Sequence, residues 1–507
     1  MKPYKKIITL ADLRAHHVGH NPYPTDPDYL RIARDLHNII RKDDEIELLG
    51  EDFARALAIN LTLHLEDTVA DTGLWRTFCT EYRRLYGRWL PFGWGDGEED
   101  DKDNLPLDEV TVGSCQFIVW MTLCNKKVLR CVNPLMPAIT TLAAKVFVYL
   151  DDVFCDVPIN DDLLDDIYPD EDDFIENRKI LEWLANDSYL SDWEVTRNTL
   201  DTYLEALVET FKDLSDTELI YGARAMTAFG SKVGPLALLP QEWYAAMLCN
   251  YAQKDLKQRA DAIAAMEHAP FYIYIVESAD EKFINVQSLE GQKYAIARDS
   301  FGPSINQEDF NSVNCFYGMM VRYNGVWQSN GMLSFFSSAK LDRQKELKRK
   351  EAENDKLLAE LCNKYVNSRQ GKRLFYFNSI KEIDEWMKND IKLTDMASFF
   401  ANIPQYINES KSLTVFIPED GNFIVNCNQP EVIKDPDNPF YDEQKSREYG
   451  IALITASEMD SSEWFHYMLS RGMFAEAAFV GPNPKLNHAL FQEHLDFIAR
   501  FTRRANY

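Results

Sequence analysis

The chain lacks any apolar run long enough to cross a bilayer. Its longest, Ala138 to Leu150, is interrupted by Lys145, whereas a spanning helix needs roughly 20 consecutive apolar residues. Met1-Lys2-Pro3-Tyr4-Lys5-Lys6 leads into too few apolar residues to act as a secretory signal. Cysteines are few and unpaired in pattern. Cys79, Cys115, Cys124, Cys131, Cys155, Cys249, Cys315, Cys362 and Cys427 are scattered, odd in number and without a Cys-x-x-Cys. That argues against a disulfide framework and for buried thiols in a reducing compartment, so a cytoplasmic location is expected. Positive charge is also scarce: 54 Lys and Arg stand against 81 Asp and Glu, a net charge of −27. Such a balance opposes binding to nucleic-acid phosphates or an anionic membrane and favours basic protein partners.

The short motifs that announce an activity are missing as well. Gly93-x-Gly95-x-Gly97 has the wrong spacing for a dinucleotide fingerprint, follows no strand, and is succeeded by acids that would repel phosphates. The acidic loop Asp96 to Asp103 lacks the alternating aspartates and central glycine of a calcium loop. There is no Walker A sequence, no Gly-x-Ser-x-Gly elbow and no His-Glu-x-x-His. A catalytic triad assembled from distant positions is invisible to any such scan.

What is present is enough material for two to four domains: 507 residues, 46% hydrophobic and 12% aromatic. The clearest stretch is Phe271 to Phe336. Phe271 to Val276, Lys282 to Val286, Lys293 to Ala297, Phe316 to Tyr323 and Val326 to Gln328 have the composition of strands. Asn324-Gly325 between the last two is a strong hairpin signal, because both turn positions need positive φ. The expected class is therefore α+β and multidomain. Residues 1–270 form a helical domain, 271–337 a small antiparallel β-barrel-like module, 338–373 a charged connector helix and 374–507 an α/β C-terminal domain. In the last of these, Leu374 to Phe377 and Ile451 to Thr455 read as strands, and Ser379 as the cap of a helix from Ile380 to Lys388. The connector carries eleven Lys or Arg against six Asp or Glu from Ala339 to Arg373. It reads as a solvated helix or as a docking arm for an acidic surface.

Three clusters are candidate sites. An apolar helix ending in Asp151-Asp152, with Asp156 close behind, resembles the aspartate-rich motif of class I terpene synthases and prenyltransferases. There, carboxylates hold Mg²⁺ and the metal holds a diphosphate. Asn186 and Glu194 echo the second metal motif of that family, but at too short a distance along the chain and without its diphosphate-sensing pair. Twelve acids and no Lys or Arg lie between Asp151 and Glu176, so a solvated acidic rim accounts for the same residues. His16 and His20 would share a face on a helix, as two metal ligands can, yet no third ligand is placed beside them or His17. His488 and His494, six apart, do not share a face. Tyr317, Tyr323 and Trp327 in the β module could stack bases, but seven acids against four basic residues leave no basic groove, and a small module needs its aromatics inside.

Glu66-Asp67 through Gly73-Leu74-Trp75, and Leu85-Tyr86-Gly87-Arg88-Trp89-Leu90-Pro91-Phe92, resemble an uncharacterised bacterial family known as a domain of unknown function. So do Asp108-Glu109-Val110, Phe117-Ile118-Val119-Trp120, Asn133-Pro134, and Leu150-Asp151-Asp152 followed by Val157-Pro158 and Asn160. The resemblance covers roughly residues 50 to 300 and implies a soluble bacterial protein, helical in its N-terminal half, with no assigned chemistry. The reading reached is a non-catalytic protein-interaction or regulatory module, with no cofactor expected. The alternatives are a Mg-dependent enzyme acting on a diphosphate at Asp151, Asp152 and Asp156, and a nucleic-acid-associated factor using the β module.

Overall fold

The computed structural model describes residues 7–43, 49–94, 107–125, 131–212, 214–251, 255–301, 315–336, 342–393, 403–421, 423–427, 430–456, 461–479 and 490–507. The acidic loop Asp96 to Asp103 and His488 lie outside these. The first part is helical: α1 Leu10–Arg14, α2 Asp26–Ile40, α3 Glu51–Ala70, α4 Leu74–Tyr86, α5 Val112–Asn125 and α6 Pro137–Phe154. It continues with α7 Asp161–Ile167, α8 Phe174–Asn186, α9 Glu194–Thr210, α10 Asp216–Gly230, α11 Pro240–Asn250 and α12 Lys257–Ala264. Two of these helices sit at the centre. α3 is buried almost continuously from Leu57 to Thr68, and α5 from Gly113 to Cys124. A helix apolar on every side must be covered on every side, and α2, α5 and α6 pack against α3. The others are amphipathic: in α2, Tyr29, Ile32, Ala33, Leu36 and Ile40 form the buried stripe that helical spacing predicts. Among the described residues no helix is long and apolar enough to cross a membrane.

Six strands follow: β1 Glu267–Ala279, β2 Phe283–Ser288, β3 Lys293–Ala297, β4 Cys315–Tyr323, β5 Val326–Ser329 and β6 Ser334–Phe336. They form one mixed sheet in the order β1-β2-β3-β5-β4-β6, with a further pairing of β1 to β4. Neighbours are antiparallel except β3 and β5, which meet in parallel at Ile296 and Trp327. The pairing thus runs from β1 through β2, β3, β5 and β4 and back to β1. Asn324 and Gly325 have φ of +50° and +77°, the backbone that the Asn-Gly signal requires.

β4 is buried on both faces, and its period-2 alternation divides two cores. Phe316 and Met320 join Tyr274, Ile284, Val286 and Ile296 in the core of the sheet itself. Cys315, Met319, Val321 and Tyr323 face the other way, into the core of the helical region. Sheet and helices are therefore joined by continuous apolar packing.

The long helix α13, Asp342–Ser368, leads to a three-stranded antiparallel sheet of β7 Leu374–Phe377, β8 Leu413–Phe416 and β9 Ile424–Asn426. Every residue from Ala352 to Leu357 on α13 is exposed, while Cys362 and Val366 are buried with Ile391 and Ile417. Helices α14 Ile380–Trp386, α15 Gln405–Asn408, α16 Glu443–Thr455, α17 Ser462–Ser470 and α18 Leu495–Arg503 complete the chain. Ser379 caps α14 by accepting from the Glu382 amide, as its position predicts. The expected strand Ile451 to Thr455 is instead the buried end of α16, whose start is fixed by the Asp442 carboxylate on the Lys445 amide. A short apolar run fits either a strand or a buried helix end, and here the upstream cap decides.

Gly450 of α16 lies against the turn at Ala478: a Cβ on it would sit 2.3 Å from the Ala478 Cβ and 2.5 Å from its Cα. Gly450→Ala gains about 1 kcal/mol of helix propensity but overpacks a backbone contact, which costs roughly 1–3 kcal/mol. A lower urea midpoint with unchanged m-value is the expected net result.

Candidate functional site

A cleft of about 440 Å³ opens where the helical region meets the mixed sheet. One wall is the start of α8, where Asp173 accepts from the Ile175 and Glu176 amides at 3.1 and 3.4 Å. The other is the β4–β5 hairpin with the strap beyond it and the turn after β3, contributing Tyr323, Val326 and Asp299. Gly331 has φ +104°, and a Cβ there would lie 2.4 Å from Arg178 Nη1 and 2.5 Å from the Tyr221 hydroxyl. Only glycine lets the strap come this close.

Arg178 lines the cleft, and its Nη1 turns inward. Nη1 donates to the Asn330 carbonyl at 2.9 Å and to the Tyr221 hydroxyl at 3.2 Å, and Nε lies 3.4 Å from Glu182 Oε1. Asp173 and Asp299 are exposed at the cleft, and Asp299 makes no hydrogen bond or ion pair among the described residues. Ile175 and Val326 add exposed apolar surface at 53% and 39% exposure, large enough for a ligand's apolar part to cover.

Behind this surface the wall is braced. The Tyr323 hydroxyl donates to Asp172 and accepts from Asn177 Nδ2 at 3.1 Å. Burial, reinforced by the Asp172 carboxylate, pushes the Tyr323 phenol up, so it stays protonated. Arg259, 6% exposed, donates to Asn177 Oδ1 at 3.0 Å, to the Pro169 carbonyl at 2.7 Å and to the Tyr244 hydroxyl at 3.1 Å.

Of the three aromatics singled out in the sequence, only Tyr323 lines the cleft. Trp327 packs edge-on against Tyr294 at 4.9 Å, beside the core of the sheet. Tyr317 stacks on Phe336 at 4.4 Å and meets Phe211 at 4.7 Å. The three do not share one face on which bases could stack. Asp151, Asp152 and Asp156 are exposed at and just beyond the end of α6. Among the described residues no group of three His, Cys, Asp or Glu side chains is arranged to hold a metal ion. Asn186 Nδ2 donates to the Glu182 carbonyl, within its own helix.

The histidine cluster is not a shared helix face either. α1 ends at Arg14, and His17 turns away from the other two rings, which both face Asp187. His16 Nδ1 meets the Asp187 carbonyl at 2.7 Å and His20 Nε2 lies 3.5 Å from the Asp187 carboxylate. His17 is buried beside Glu66 of α3 and Asp26 of α2.

One arrangement had no sequence signal. Ser114, His64, Tyr189 and Asp67 form a line: His64 Nε2 to Ser114 Oγ is 2.9 Å, and the Tyr189 hydroxyl lies 3.5 Å from His64 Nδ1 and 2.8 Å from Asp67 Oδ2. It has the residue types of a hydrolytic triad without its chemistry. The Ser114 hydroxyl donates to the Thr111 carbonyl at 2.9 Å, so His64 Nε2 must be the donor between them rather than a base. Burial pushes the His64 imidazole down to about 3, so it is neutral. Asp67 accepts from the Leu74 and Trp75 amides at 3.1 and 2.8 Å and from Thr72 Oγ1, which anchors the start of α4. Burial still pushes its carboxyl up against these donors. The motif Glu66-Asp67 through Trp75 is thus a buried structural joint.

The fold is an α+β arrangement with a polar cleft between its helices and its larger sheet. The chain belongs to the family described as protein of unknown function (DUF3843), which it matches over residues 11–277 and 316–504. The α8 wall and the β4–β5 hairpin fall inside the match, and the turn carrying Asp299 falls outside it. No curated protein and no solved structure matches the chain.

The joint at Ser114 has a direct check. Incubation of the native protein with a fluorophosphonate probe is expected to leave no adduct on Ser114 by peptide mass mapping, since the hydroxyl is buried and its proton engaged. Ser114→Ala should instead lower unfolding stability by about 1–2 kcal/mol, because the Thr111 amide and His64 Nε2 lose the buried Ser114 oxygen they meet.

Proposed function

We propose that this is a non-catalytic interaction protein, working in the cytoplasm, whose cleft receives a cationic segment of a protein partner. The observation that carries the reading is the charge of the cleft: the carboxylates of Asp173 and Asp299 face the opening, while Arg178 Nη1 is engaged by the Asn330 carbonyl and the Tyr221 hydroxyl and its charge is offset by Glu182. A lysine or arginine entering there meets acceptors, and its apolar neighbours meet Ile175 and Val326. The net charge of −27 draws such a partner in and repels nucleic acid. The strand circuit from β1 back to β1 supports a small barrel-like module as the rigid wall of the site. Six buried thiols suit a reducing compartment.

Selection from a randomised heptapeptide library tests the reading, with counter-selection on Val326→Trp, which fills the cleft at an already exposed strand position. Peptides retained by the wild type alone are expected to carry at least one Lys or Arg. Asp173→Asn, which keeps the helix cap, combined with Asp299→Asn should weaken them by roughly tenfold at low salt, two exposed ion pairs at up to about 1 kcal/mol each. Enrichment of neutral or acidic peptides would overturn the cationic assignment, and peptides indifferent to Val326→Trp would overturn the site.

A further inference from the structure

The segment from Leu10 to Asn21 lies on the helical body through the buried side chains of Leu13 and Val18, the Asp12–Arg55 ion pair, the Trp183 indole on the His16 carbonyl at 2.6 Å, and one buried imidazole. His17 is 2% exposed. Its Nε2 lies 3.1 Å from Glu66 Oε2, and its Nδ1 lies 3.4 Å from the Asn21 carbonyl and 3.8 Å from Asp26 Oδ1. Both ring nitrogens face acceptors. A neutral imidazole has one proton and would present a lone pair to one of them, whereas the imidazolium satisfies both.

The surroundings are arranged for that charge. Glu66, with a side chain 3% exposed, gives its other oxygen to Asn160 Nδ2 at 2.7 Å, so α7 joins through its cap residue. The Asp26 side chain is fully buried; Oδ2 accepts from Arg14 Nε at 2.6 Å, while Oδ1 has no hydrogen bond. Two carboxylates, one guanidinium and one imidazolium make a neutral set, and removing the imidazole proton leaves a buried negative charge uncompensated. The other titratable groups facing this point are Tyr23, Tyr29, Asp28 and Asp166. The Tyr23 ring lies 4.7 Å from that of His17 and its hydroxyl donates to Asp166 at 2.6 Å. Asp166 also accepts from Asn21 at 2.8 Å, Tyr29 donates to the Pro158 carbonyl at 3.0 Å, and Asp28 acts on Tyr29 only at a distance. None of these is a cation that could replace the imidazolium. His16 and His20 face Asp187 instead.

We propose that His17 is a proton-operated latch: protonated, it fastens residues 10–21 to α3 and α7, and on deprotonation the segment lifts off while the helical body stays folded. Burial pushes the His17 imidazole down, but Glu66, followed by Asp26, pushes it up further, and the net shift is upward. A group raised in the folded state contributes stability that is complete below its ordinary range and is lost as pH rises through the raised value. The latch therefore closes on the acid side and opens on the alkaline side, over roughly pH 6.5 upward.

Two measurements on the whole protein decide it. In an NMR titration the His17 ring should protonate with a midpoint above the ordinary value of about 6.5. Hydrogen exchange, corrected for intrinsic rates, should show the protection of residues 10–21 falling several-fold between pH 6 and pH 9, while α3 and α5 keep theirs. In His17→Gln that pH dependence should vanish, and in His20→Asn, which alters only the exposed ring beside Asp187, it should persist. A midpoint at or below the ordinary value overturns the proposal. So does protection of the segment that is equal at both pH values, or a wild-type-like dependence in His17→Gln. The wild-type measurements stand alone if His17→Gln fails to fold.

Discussion

The aromatic cluster around Trp120 is what the rest of the structure depends on. Trp120, fully buried on α5, meets Phe92 at 5.1 Å, Phe501 at 4.4 Å and Phe497 at 6.2 Å, and its indole N–H donates to the Val132 carbonyl at 3.0 Å. Phe497 and Phe501 come from α18, almost 400 residues further along the chain. The helical region is therefore not complete until the last helix returns to it, and loss of any one of these rings removes a core side chain of the kind whose truncation costs about 3–5 kcal/mol. The return is reinforced by polar contacts. Tyr86 of α4 donates to Asp496 at 2.6 Å, and Arg500 reaches the Leu236 carbonyl at 3.3 Å.

That closure explains where a binding surface can form. The larger sheet is held to the helices by one face of β4 and of β1, so it cannot rock away without exposing Phe271, Ile273, Met319, Val321 and Tyr323. The cleft lies at the edge of that contact, between a helix start and a hairpin, each fixed by its own hydrogen bonds. A rigid, shallow, acidic opening of this kind pre-pays the ordering cost of binding on the protein's side. The strongly displaced groups, His64 among them, lie in the interior, where they serve as joints.

Local chemistry was legible in the sequence wherever a few adjacent residues decide the backbone. Asn324-Gly325 gives the turn, Ser379 starts α14, and the five strands of the β module lie where aromatic and β-branched runs placed them. α10, Asp216–Gly230, is marked in the sequence by little beyond its Ser215–Glu218 capping box, because Ala and Gly blur its apolar stripe. The site was largely illegible for a different reason. Arg178 and Gly331 are 153 positions apart, and His17 and Glu66 are 49 apart. No spacing rule relates such pairs before the fold exists. Tyr323 is one of many aromatics in the β module, and that it lines a cleft while Trp327 faces inward depends on which face of β4 the helices cover.

An acidic chain has a particular problem with buried cations and a particular freedom. Surplus carboxylates make partners easy to supply, yet each pair taken inside must be hydrogen-bonded on every side or it costs more than it returns. His17 is solved with two carboxylates, Arg259 with an amide, a carbonyl, a phenol and the Asp172 carboxylate at 3.5 Å, and Arg504 with no carboxylate ion pair among the described residues. Arg504 is fully buried, donates to the Leu190, Ser191 and Phe501 carbonyls and lies over the Trp193 ring at 4.9 Å, while Nη2 has no hydrogen bond. Burial pushes its guanidinium down accordingly. A guanidinium keeps its charge under such pressure and an imidazole does not, because their ordinary values lie several units apart. Of these three groups, His17 is therefore the one whose charge can be switched within the physiological range, and the two guanidinium groups act as permanent fasteners.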